Sequence, residues 1–207
     1  MSEKGGGRLK LDYIKITNEK GGVMQGGNQS NFSKNIRRSG CGMIAACDML
    51  LYKQDRKAVS NSEYSKFVND NSRSFFYRRH FNLIGVAAHR IVKFLRKQGY
   101  SFRFVPRRKL KGDALERLIK ETLDSGTPVI VRVGLNGKKL PYKVFYTVNG
   151  RVSQGTLSWH YITVTGMENG IMTYSSWGAA GEMAVADLQK NLGFMGGIII
   201  PDQQIGV

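Results

Sequence analysis

Two cysteines and three histidines are the chain's whole stock of thiols and imidazoles, so each can be placed. Cys41 stands between Gly40 and Gly42, ahead of the run Met43-Ile44-Ala45-Ala46-Cys47-Asp48-Met49-Leu50-Leu51-Tyr52. Apolar residues nearly all round predict a buried helix, with Ser39 as N-cap and an end near residues 53–55. A thiol in its first turn meets unpaired backbone N–H groups and the positive end of the helix dipole, which favour the thiolate. The flanking glycines leave room for a substrate backbone. Cys47, mid-helix and near Ala46 and Met49, suits a small buried hydrophobe instead.

A thiol nucleophile needs a base. His80 lies beside Arg78-Arg79 and His89 beside Arg90, and neither segment offers a fixed carboxylate or amide partner. His160 opens the strand pattern His160-Tyr161-Ile162-Thr163-Val164-Thr165, which would hold the ring firmly at a cleft. The segment Thr173-Tyr174-Ser175-Ser176-Trp177-Gly178 follows across the turn Glu168-Asn169-Gly170, so the two strands are expected to be neighbours. A polar residue near its end could fix the imidazole tautomer.

The elements that must position these groups change character along the chain. Before residue 124 they are mostly helical, with one short strand at 101–105. Ser60 and Glu63 have capping-box spacing for a helix through Val68. Residues 83–98 are amphipathic and end at Gly99, and Asp113 opens a helix through Leu123. After Ser125-Gly126-Thr127-Pro128 come strands at 129–133, 142–148, 152–157, 160–165, 171–175 and 197–200, with Asn149-Gly150 as a hairpin signal and a short helix over 187–191. Helices first and a mostly antiparallel sheet after them define an α+β class. The glycine-rich residues 1–28 are expected to form a flexible lead-in holding at most one short strand at 11–17, with the domain proper over 29–207.

Four segments in one order carry a resemblance: Ser39-Gly40-Cys41-Gly42, Thr127-Pro128-Val129-Ile130-Val131, His160-Tyr161-Ile162-Thr163, and Ser175-Ser176-Trp177-Gly178. The order resembles that of papain-like cysteine peptidases, in particular the bacterial branch containing the bacteriocin-leader (double-glycine) processing peptidases. The resemblance implies a papain-like fold with the N-terminal helices packed on the C-terminal sheet. It also implies hydrolysis of a peptide or amide bond by Cys41 with His160 as base. Where the family carries Asn or Asp to orient the histidine, this chain places Ser175, a shorter and uncharged partner. Where the family carries an oxyanion-hole Gln about six residues before its Cys, this chain has Asn35, with Gln29 as the alternative. Two other readings stay open: an acyltransferase on the same machinery, or a catalytically weak domain that binds an anionic partner.

Composition bounds the rest. A formal charge of +17, from 32 Lys and Arg against 15 Asp and Glu, favours anionic partners: nucleic acid, or an acidic peptide or protein substrate. Arg78, Arg79 and the Lys138-Lys139 pair lie in segments expected to border the cleft. Two cysteines make no disulfide framework, and a cytoplasmic setting is expected from them and from the absence of a signal-like start. No stretch approaches the ~20 apolar residues of a membrane span. No ligand spacing suggests a metal, and no phosphate loop suggests a nucleotide, so no cofactor is expected.

Overall fold

The computed structural model describes residues 9–75, 86–135 and 140–202. Up to the first core helix they form β1 (Leu9–Lys10), β2 (Lys15–Thr17), β3 (Val23–Gln25), a short 3-10 turn at Gln29–Asn31, α1 (Lys34–Ser39) and α2 (Cys41–Lys53). Next come β4 (Ala58–Ser60), α3 (Asn61–Ser72), α4 (Ala88–Lys97), β5 (Phe102–Pro106) and α5 (Ala114–Asp124). The remainder is β6 (Val129–Val133), β7 (Leu140–Phe145), β8 (Val152–Leu157), β9 (His160–Glu168), β10 (Ile171–Ser176), β11 (Ala179–Ala184), α6 (Val185–Asn191) and β12 (Gly197–Pro201).

Strands β6 and β12 are almost continuously apolar because both of their faces are covered. They lie inside a sheet ordered β5-β12-β6-β9-β10-β11-β7-β8, with β1 added to β9, and every pairing in it is antiparallel. Alternation divides the side chains between two cores. Ile130, Tyr161 and Ile199 meet α2 and α4 on one face. Val129, Val131, Ile162, Val164 and Ile198 meet α5 and α6 on the other. The N-terminal helices therefore pack on the antiparallel sheet as the sequence implied, and α5 and α6 add a layer behind it.

The capping box at Ser60 and Glu63 is formed, and the Asn-Gly and Glu-Asn-Gly turns join β7 to β8 and β9 to β10. The expected lead-in is corrected from residue 9 onward. Leu9 pairs with Met167, Ile14 and Ile16 have no solvent exposure, and β2 pairs with β3 and, in parallel, with β4. Tyr13, Ile14 and Ile16 supply enough apolar surface to anchor a segment whose glycines suggested freedom. Residues 1–8 lie outside the described residues, as do Arg78, Arg79, His80, Lys138 and Lys139.

Candidate active site

α1 ends at Ser39 and α2 starts at Cys41, with only Gly40 between them as a shared cap. The expected N-cap Ser39 is thus the last residue of α1, and no side chain caps α2. This puts Cys41 at the first position of a helix whose following ten residues are buried. Gly42 is close against Tyr161: a Cβ there would lie 2.9 Å from a ring carbon. Helix and β9 therefore touch at the level of the thiol.

Cys41, His160, Gln29, Asp48, Ser175, Ser176 and Trp177 share the wall of one small cavity of about 20 Å³, room for a single water-sized group. Cys41 is half-buried, and burial pushes its thiol pKa up. The backbone N–H groups of Tyr161, Gly42 and Cys41 itself, then the charge of Arg132, work in the opposite direction. Arg132 is buried, with its guanidinium 5.1 Å from the ring centre of Trp159 and 5.9 Å from that of Tyr161. Cys47 is fully buried, and desolvation, reinforced by Asp48, drives its thiol pKa far up.

His160 is buried, and desolvation lowers its pKa to about 3. Its Nε2 lies 2.7 Å from Ser176 Oγ, and its ring stacks on Trp177 at 4.3 Å between centroids and 21° between planes. No hydrogen bond among the described residues joins His160 to Cys41. With Nε2 engaged by Ser176, Nδ1 is the ring nitrogen left for the thiol. Catalytic contacts of this kind often tighten only when substrate arrives.

The histidine's partner is thus Ser176, not the Ser175 expected from the sequence. A β-bulge explains the difference. β9 and β10 pair Thr173 with Gly166, but the register shifts before Tyr174, which faces Val164. Ser175 then sits opposite Thr163, and its Oγ donates to Gln25 O at 2.8 Å. Unbroken register would have set Ser175 opposite Val164, on the side of the sheet that His160 shares. One extra residue exchanges the faces of the two serines.

Asn35 is exposed on α1 and lies outside the cavity wall, whereas Gln29 lines it. Asn35 stands near the start of α1, with Gly40 between that helix and Cys41, so a donor at that spacing is carried away from the thiol. The 3-10 turn brings Gln29 back, and its Nε2 donates to Arg37 O at 2.8 Å. Sequence reading passed over Asp48. Its carboxylate is buried, accepts from Gly27 N at 2.9 Å and from Tyr64 Oη at 2.6 Å, and has its pKa raised to about 6 by burial. A lone acid seven residues after Cys41 in an apolar helix was the signal: that spacing returns to the same helix face.

The fold is of the α+β papain-like class. Among solved structures, the chain superposes on a crystal structure described as a candidate C39-like peptidase from Bacillus anthracis, with a TM-score of 0.51 and 13% identity, covering 96% of this chain and 98% of that one. The likeness is one of fold. No protein-family model and no curated protein sequence matches the chain. Among the described residues, no helix is long and apolar enough to cross a membrane.

Proposed function

We propose that the protein is a cysteine peptidase or amidase that works through an acyl-thioester on Cys41. The observation that carries this reading is the shared cavity: a thiol at a helix start and a histidine with one nitrogen already hydrogen-bonded by Ser176. His160 Nδ1 takes the thiol proton as Cys41 Sγ attacks the carbonyl. The C–N bond then breaks, and the imidazolium gives its proton to the leaving amine. Water adds to the thioester with His160 again as base, the C–S bond breaks, and carboxylate and free thiol remain. Nε2–H donates to Ser176 Oγ throughout, which fixes the tautomer, as an orienting group does in a triad.

For the oxyanion, the reading takes the Cys41 N–H and Gln29, in place of Asn35, because Gln29 is on the cavity wall. A donor aimed there contributes ~3 kcal/mol to the transition state. The cavity holds one water-sized group, which suits the oxyanion or the attacking water, with the peptide lying across its rim. A leader-type peptide substrate rests on the order of the four sequence motifs, and an amine in place of water would give acyl transfer on the same residues. We take the chain from β1 to β12 as one catalytic domain. The test is hydrolysis of a fluorogenic peptide-amide library by wild type and Cys41→Ser. Cleavage lost in the variant supports the reading; equal cleavage by both, or none by either across the library, rejects it.

A further inference from the structure

Helix α4 has the sequence Ala88-His89-Arg90-Ile91-Val92-Lys93-Phe94-Leu95-Arg96-Lys97 and contains no acid. Its apolar residues are buried, which turns His89, Arg90, Lys93, Arg96 and Lys97 to one outer face. Of the other helices, α1 (Lys34–Ser39) also lacks an acid, but the longer α3 and α5 are built differently. α3 carries the i,i+4 pair Lys66–Asp70, and α5 carries Arg117–Glu121 and Lys120–Asp124. Like charges at that spacing cost a helix ~0.2–0.5 kcal/mol per pair, so a long cationic face with no acid of its own, answered among the described residues only by Asp202 at Arg96, sets α4 apart from α3 and α5.

His89, Lys93 and Lys97, four residues apart, form a ridge with a depression on each side. Arg73 and Arg90 line one depression, and Arg96 and Arg103 the other. Arg90 and Arg96 are braced: Arg90 donates to Phe75 O at 2.8 Å, while Arg96 pairs with Asp202 at 3.0 Å and donates to Phe102 O at 3.0 Å. Arg103 Nε is buried and finds no hydrogen-bond partner among the described residues. The surface is therefore a cationic ridge flanked by four arginines, two of them braced.

We propose that this α4 face binds the phosphodiester backbone of nucleic acid, without reading sequence. The helix is ~15 Å long, the axial length of about four base-pair steps at ~3.4 Å each, and so spans about four phosphates of one strand. Arginines on the flanks suit phosphate oxygens, since the guanidinium fork presents several donors at once. A bilayer fits less well, because Val92 and Phe94, which line the floors of the two depressions, are buried and no apolar side chain of α4 projects to insert. The site is separate from the thiol cavity, so its test does not depend on catalysis.

The test is fluorescence anisotropy of the full chain with a labelled duplex of arbitrary sequence, titrated between about 50 and 200 mM salt. With about four phosphates neutralised at ~0.9 each, the expected slope of log K against log salt is about −3.6. The triple variant Arg73→Gln, Lys93→Gln, Lys97→Gln should shrink that slope by about three. A control with the same charge change, Arg107→Gln, Arg108→Gln, Lys109→Gln on the exposed turn after β5, should leave it unchanged. No binding at the low-salt end, equal loss in both triples, or tighter binding to phosphatidylserine vesicles or polyglutamate than to duplex would each overturn the proposal.

Discussion

Lowering the pH sets two buried groups beside the cavity against each other, and the contest has a computable size. Burial holds His160 neutral, with a pKa of about 3 against an ordinary 6.5. Its contribution to stability is whole above about pH 6.5 and drains away as the pH falls towards 3, because the unfolded chain takes up the proton first. By about pH 5 this loss reaches about 2 kcal/mol. Asp48 has the opposite sign. Its pKa is raised to about 6 from an ordinary 3.8, so the native state binds the proton first. Stability therefore rises as the pH falls from about 6 to 4, by about 1 kcal/mol at pH 5. Between about pH 7.5 and 5 these two groups leave the wild type a net loss of only about 1 kcal/mol. Asp48→Asn removes the offset and should lose about 1 kcal/mol more over that interval, whereas His160→Gln should lose about 2 kcal/mol less. Urea unfolding at both pH values, with unchanged m, reads the difference. An Asp48→Asn protein with wild-type pH dependence would refute the assignment of a raised Asp48 pKa, and a His160→Gln protein with wild-type loss would refute the buried neutral imidazole.

Other expectations follow from single contacts. Ser176→Ala should lower the rate of Cys41 acylation about 5- to 10-fold, the worth of about 1 kcal/mol of hydrogen bond, with Tm little changed. Ser175→Ala should instead lower stability by about 1 kcal/mol in denaturant, through the lost bond to Gln25 O, and spare the rate. Gln29→Ala should reduce kcat about 100-fold in the peptide-amide assay, and Asn35→Ala should not. Gly42→Ala would press a methyl group to 2.9 Å from the Tyr161 ring and 3.1 Å from Val86 Cβ, and should cost about 1–3 kcal/mol in thermal or urea unfolding.

Most of the fold was legible because its signals are local and strong. The apolar run after Cys41, the capping box at Ser60 and the Asn-Gly turn each fix an element within a few residues. Elements without such signals were missed. β11, Ala179-Ala180-Gly181-Glu182-Met183-Ala184, has small residues and low strand propensity, and it is a strand because β10 and β7 pair with it on either side. The same limit governs the site. Cys41 and His160 could be picked out by residue type and neighbours, but the choice between Ser175 and Ser176 depends on a bulge between two strands, which no local pattern encodes. Gln29 over Asn35 likewise depends on α1 forming over Lys34–Ser39, where the sequence pattern predicted no element. Asp48 was overlooked because an acid inside an apolar helix reads as an exception, until Tyr64 and Gly27 are seen to answer it.

The account rests on Cys41 being activated by His160. Mass-spectrometric mapping of the residue modified by an electrophilic peptide amide at neutral pH tests this most directly. The prediction is modification of Cys41 alone, abolished in His160→Ala, with Cys47 untouched in both proteins. Equal modification of the two cysteines, or labelling of Cys41 that survives His160→Ala at the same rate, would contradict it.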